Sequence, residues 1–217
     1  MGTAVLVYGK SGAGKSRSLK GFAEDEIFLV NPIGKRLPFP GKFKYTAKTD
    51  NYQTIINGLK QMPTKIAVID DAGYLLTNTF MRGHSAPKAG SSTFDLYNDI
   101  ADNFWRLFMF IQQQLPDDVI VYVMMHEQET DFGSVKLRTI GKLLDEKVSI
   151  EGMVTIALRC LVDGDRHYFR TQTDGSDVSK SPEQMFDLEI DNDLKAVDTR
   201  IRDFWGLAHS KEADKNG

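Results

Sequence analysis

The stretch Gly9-Lys10-Ser11-Gly12-Ala13-Gly14-Lys15-Ser16 constrains this chain more than any other, because it fits the pattern of glycine, any four residues, glycine, lysine, then serine or threonine. Glycines at 9, 12 and 14 let the backbone turn tightly. Successive N–H groups can then face one anion with no Cβ in the way, and a helix beyond adds the positive end of its dipole. Lys15 is placed to reach the β- and γ-phosphates of a nucleotide, and the Ser16 hydroxyl to ligate Mg²⁺, with Lys10, Ser11, Ala13 and Arg17 completing the cradle. At average glycine usage such a pattern arises by chance on the order of once per hundred chains of this length. The flanks lower that further: Thr3 to Tyr8 reads as a buried strand and Ser16 to Glu24 as a helix.

The chain has 217 residues, which suits one α/β domain over 1–209 followed by a disordered tail at 210–217. Apolar residues at 41% suffice for a core, and a net charge of −3 gives no bulk attraction to nucleic acid or anionic membrane. One cysteine, Cys160, allows no intramolecular disulfide, and the first residues lack the pattern of a secretory leader, so a cytoplasmic location is expected. Apolar runs such as Val119 to Met125 fall far short of the roughly 20 residues of a membrane span, and no membrane contact is expected.

Ile27 to Val30, stopped by Asn31-Pro32, predicts a parallel strand closing a first βαβ unit. Residues 32–48 hold Lys35, Arg36, Lys42, Lys44 and Lys48 with no acid, and Pro38 and Pro40, so a basic loop is expected, either solvated or in contact with phosphates. A helix follows over 50–61. Lys65 to Ile69 is then an apolar strand ending in Asp70 and Asp71, the Walker B pattern. Lying beside the first strand, it would set Asp70 against the Mg²⁺ shell. Asp71 either polarises an attacking water or caps the helix that starts near Ala72.

Residues 80–93 read as a long loop carrying Arg82, His84 and Lys88. Phe94, Tyr97, Ala101, Phe104, Phe108 and Ile111 recur at helical spacing and predict a helix with an aromatic stripe in the core. The buried strand Val119 to Met125 ends at His126-Glu127, where one of the two side chains senses the nucleotide or the strand simply ends in solvent. A polar loop over 130–139 with Lys136 and Arg138 comes next, then a short helix over 140–146. A hairpin over 152–173 should extend the sheet antiparallel, and an amphipathic helix is expected over 194–207.

Taken together, the glycine loop, Val68-Ile-Asp-Asp71, Met124-Met-His-Glu127, Thr139-Ile-Gly-Lys-Leu-Leu-Asp-Glu-Lys147 and Thr171-Gln-Thr-Asp-Gly-Ser-Asp-Val-Ser-Lys-Ser-Pro182 resemble the phage-borne AAA/RecA-like P-loop ATPases. The resemblance runs from Val5 to about Leu207. It implies a RecA-like fold, a mostly parallel sheet flanked by helices, with MgATP as ligand. Some related proteins act in homologous recombination or single-strand annealing, so it also implies single-stranded DNA, a single-strand-binding protein and further copies of the chain as partners. DNA would be met through Arg82, Lys88, Lys136 and Arg138, and a cation passed to the next subunit would be Lys180 or Arg170. Where RecA-like enzymes carry a glutamate after the second strand this chain has Asn31-Pro32, which leaves Asp71 or Glu127 to activate water alongside the catalytic Lys15. Lys10 is also similar to the second P-loop lysine of partition ATPases, which acts across a dimer; a solvated side chain is the alternative.

Three functions therefore compete. One is an ATPase whose nucleotide state controls an assembly on DNA. Another is a nucleotide-dependent scaffold without hydrolysis. The third is a small-molecule kinase, for which an arginine-rich lid is wanting: Arg159, Arg166 and Arg170 are few and spread.

Overall fold

A computed structural model of the protein describes residues 1–84, 93–140 and 148–209. Strands β1 (Thr3–Gly9), β2 (Phe28–Val30), β3 (Tyr45–Ala47), β4 (Ile66–Ile69), β5 (Ile120–Glu129), β6 (Val135–Leu137), β7 (Ile156–Asp163), β8 (Arg166–Arg170) and β9 (Glu189–Asp191) form one sheet. Its order is β3-β2-β4-β5-β1-β7-β8-β9, with β6 attached to β5. The run from β3 to β7 is parallel, and β8, β9 and β6 pair antiparallel with their neighbours. The architecture is α/β, a mostly parallel mixed sheet between helices.

The central strands are apolar up to their C-terminal ends because both faces are covered. Ala4, Leu6 and Tyr8 of β1 face a layer made by α1 (Tyr52–Gln61), α2 (Gly73–Gly83) and α3 (Thr93–Gln114). Val5 and Val7 face the other way, onto a 3₁₀ turn (Ser16–Gly21) and α4 (Leu194–Trp205). The caps sit where the chain supplies oxygen acceptors and a left-handed residue. Asn51 accepts from Thr54 N at the start of α1, Asp193 accepts from Lys195 N and Ala196 N at the start of α4, and Gly206 at φ 64° ends α4.

Several expectations are corrected. The helix expected after the glycine loop is a six-residue 3₁₀ turn. Within it only Ser18 and Leu19 are buried, and Ser18 Oγ donates to the Lys15 carbonyl at 2.6 Å. So little apolar surface, with a side chain competing for a backbone acceptor, does not sustain a longer helix. The strand bearing Asp70 does not lie beside β1; β5 runs between them, and β2 lies beyond β4. The basic loop contains the edge strand β3, and the polar loop over 130–139 folds back as β6, pairing Gln128 with Lys136. The hairpin joins through β7, parallel to β1, and only its second strand turns antiparallel. Residues 80–83 belong to α2, and Phe94 of the aromatic stripe is 52% exposed. The loop residues 85–92, Lys88 among them, most of the helix expected over 140–146, and the tail 210–217 lie outside the described residues.

Candidate functional site

The C-terminal ends of β1, β4 and β5 bring the singled-out residues to one place. Gly9 closes β1 directly opposite His126 of β5, while Asp70 and Asp71 follow β4 on the far side of β5. The intervening strand therefore puts an imidazole between the loop lysine and the paired acids. His126 Nδ1 lies 3.4 Å from Lys15 Nζ and its Nε2 3.1 Å from Asp71 Oδ1. With a carboxylate at Nε2 and an ammonium at Nδ1, the ring donates from Nε2 and accepts at Nδ1.

Lys15 is buried and donates to the carbonyls of Gly9 at 2.9 Å and Lys10 at 3.0 Å. Burial pulls its pKa below the ordinary lysine value, against the pull of Asp71 and Asp70. Ser16 Oγ lies 3.0 and 2.9 Å from the two oxygens of Asp70, the proximity that the metal pairing of the sequence requires. Burial and the neighbouring Asp71 charge push the Asp70 carboxyl up. Asp71 behaves oppositely. Burial favours its neutral form, but hydrogen bonds from His126 and Lys35 outweigh this and hold it down at about 2. Its backbone is left-handed, φ 51°, which turns the carboxylate back into the site. The capping role is thereby set aside: α2 has no side-chain cap, and the Asp71 carboxylate is engaged by Lys35 and His126.

Lys15, Ser16, Lys35, Asp71 and His126 line a cavity of about 320 Å³ together with Ser11, Gly12, Gly14, Arg17, Pro38 and His167, and Asp70 lies behind Ser16, bonded to its hydroxyl. A larger one, about 510 Å³, lies between residues 184–187 and α4 and touches no residue of the loop. Lys10 is exposed and is not among the cavity residues, which fits both a solvated side chain and one offered to a partner.

Sequence reasoning missed the other wall of the loop. Because β7 pairs with β1, Cys160 lies under the loop and donates from Sγ to the Ala13 carbonyl at 3.1 Å. His167 of β8 donates from Nδ1 to the same carbonyl at 2.7 Å, and Asn192 Nδ2 donates to Cys160 Sγ at 3.2 Å. Gly14, at φ 112°, has to be glycine: a Cβ there would stand 2.8 Å from His167 Nδ1 and 3.1 Å from Asn192 Oδ1. No residue spacing announces these contacts; only the pairing of β7 with β1 reveals them. Lys35 was in view as part of the basic loop, yet its place against Asp71 depends on how that loop folds.

Other candidates are not brought to the site. Glu127, next to His126, points to the opposite face of the sheet. There it accepts two hydrogen bonds from Arg159, at 2.8 and 3.0 Å, and Arg159 also reaches Asp177 at 3.1 Å. Alternation along β5 makes this unavoidable, since consecutive side chains take opposite faces, and it removes Glu127 as a water-activating base. The segment 171–182 supports the strands from that face, with Ser179 Oγ 2.8 Å from Tyr8 Oη and Lys180 bridging Ala157 through the backbone. Arg170 is paired within its own chain, with Asp174 at 3.1 Å and Asp177 at 3.8 Å. Arg82 pairs with Asp50 at 2.8 Å, Lys136 sits on β6, and Arg138 is exposed with its N–H bonded to the His126 carbonyl at 2.8 Å. No helix among the described residues is long and apolar enough to cross a membrane.

What the site can do chemically follows from its parts. A glycine loop with a buried lysine has the groups to receive anionic oxygen, a hydroxyl beside a carboxylate has oxygens that can ligate a hard cation, and a second carboxylate held ionised can orient a water. No protein-family model and no curated protein sequence matches this chain.

Proposed function

We propose that the chain is a P-loop ATPase that binds MgATP and whose nucleotide state controls an assembly on single-stranded DNA. The observation that carries the nucleotide part is the convergence of Lys15, Ser16, Asp71 and His126 on one cavity at the ends of parallel strands, with Asp70 bonded to the Ser16 hydroxyl. The DNA part rests on the family resemblance. Ser16 and Asp70 supply oxygen donors suited to Mg²⁺, which keeps several waters and takes the rest of its ligands from phosphate. When bound, that ion neutralises charge on the phosphates. Lys15 would exchange the Gly9 and Lys10 carbonyls for phosphate oxygens, and Asp71 would orient the attacking water.

The test is Mg²⁺-dependent ATP hydrolysis by the purified chain, with and without single-stranded DNA, and Lys15→Ala as the blank. Hydrolysis that DNA raises and the substitution abolishes supports the reading. A second reading, a nucleotide-gated scaffold, is favoured by one observation: Asp71 is already tied to Lys35 and His126 and Glu127 to Arg159, so neither acid is free for water. ATP binding without turnover in the same assay selects it.

A further inference from the structure

Lys35 enters the cavity from a loop built to station it. Asn31, buried at the end of β2, donates from Nδ2 to the Lys35 carbonyl at 2.7 Å, and its own carbonyl accepts from Gly34 N at 3.2 Å. Gly34 at φ 69° completes the turn. The backbone of Lys35 is thus anchored by a buried amide, while its side chain is 54% exposed and ion-paired with a carboxylate that is only 4% exposed. Lys35, Lys15, Asp71 and His126 line the same cavity.

We propose that Lys35 senses the terminal phosphate: an ammonium delivered by the chain's own β2 loop that leaves Asp71 for the third phosphate of a bound nucleoside triphosphate. This rests on the nucleotide reading above. The two partners of Asp71 differ in what it costs to move them. His126 is fixed between Lys15 and Asp71 by strand pairing with Gly9, whereas Lys35 is a long, half-exposed point charge with three donors and no planar geometry to satisfy. A phosphoryl group seated on Lys15 brings about two negative charges into the cavity against the single charge of Asp71. A diphosphate lacks that group, so Lys35 stays with Asp71. Transfer of Lys35 does two things at once: it favours the triphosphate over the diphosphate, and it frees one side of the Asp71 carboxylate while His126 still holds the other.

The test uses the full chain, Mg²⁺, ADP and a non-hydrolysable ATP analogue, with affinities read by calorimetry. The expected result is a triphosphate preference in the natural sequence that falls about tenfold in Lys35→Gln while ADP affinity stays within about twofold. Lys35→Arg should retain part of the preference. Asp71→Asn, which removes the competitor for Lys35, should strengthen the preference, and that gain should vanish in the double variant with Lys35→Gln. Equal weakening of both nucleotides by Lys35→Gln, or no effect on either, would overturn the sensor role while leaving the nucleotide reading intact. Binding of neither nucleotide by the natural sequence would overturn both.

Discussion

Cys160 illustrates how much a single side chain in this protein depends on its surroundings. Burial pushes its thiol up to about 12 from 9.0, although Lys15 and the Asn192 amide pull the other way. At pH 8 its thiolate fraction is on the order of a thousandfold below that of a free cysteine, so alkylation should proceed only as fast as the chain unfolds. Mass-spectrometric labelling, native against urea-unfolded, checks this. The folded chain keeps a proton that the unfolded chain loses above pH 9, so this thiol makes stability fall as pH rises from 9 towards about 12. The decline should begin below the tyrosine range near 10 and be absent below pH 10 in Cys160→Ala, as alkaline denaturation curves will report. At this scale the sequence was legible where a motif fixes spacing, as for Lys15, Ser16 and Asp70. It was illegible where a contact joins residues far apart in the chain: Cys160 and His167 to Ala13, Lys35 to Asp71.

Among the elements, α4 is held by a buried charge rather than by apolar contact alone. Arg202, 1% exposed, bonds Asp198 at 2.6 Å and the carbonyls of Asp118 and Ala208 at 2.8 Å, and Tyr122 of β5 donates to Asp198 at 3.0 Å. Burial pushes the Asp198 carboxyl up, and Arg202 opposes it. Arg202→Met should therefore cost about 3–5 kcal/mol by leaving a buried carboxylate unpaired, and adding Asp198→Asn should recover part of it. Urea denaturation of the single and double variants measures both. The element scale also explains which parts of the fold the sequence displays. β1, β4 and β5 are plain because strands covered on both faces carry an unbroken apolar run, here Ala4–Tyr8, Ile66–Ile69 and Ile120–Met125, and α4 because Leu194, Val197 and Ile201 recur on one face. β3 and β6 are three residues each and owe their existence to partners elsewhere in the chain, which no local pattern records. The 3₁₀ turn fails for the same reason in reverse: a helical reading was locally reasonable, and packing against α4 needed only Leu19 and Phe22.

For the whole molecule, the order β4-β5-β1 is the decisive arrangement. It puts the imidazole of His126 between lysine and carboxylate, and it sends Glu127 to the far face. The same sheet ends in two unlike rims. β3 on one side is three residues long and flanked by Lys44 and Lys48; β9 on the other is three residues long and carries Asp191 and Glu189, the latter paired with Arg166 at 3.0 Å. Short, charged edges discourage strand addition. Here they also give the molecule a polarity along the sheet, so that two copies approaching by equivalent rims repel, and only unlike rims attract. Any weak self-association through the sheet edges should therefore run head to tail and open-ended. It should appear by sedimentation at low salt and fade as added salt shortens the reach of these charges to about 8 Å.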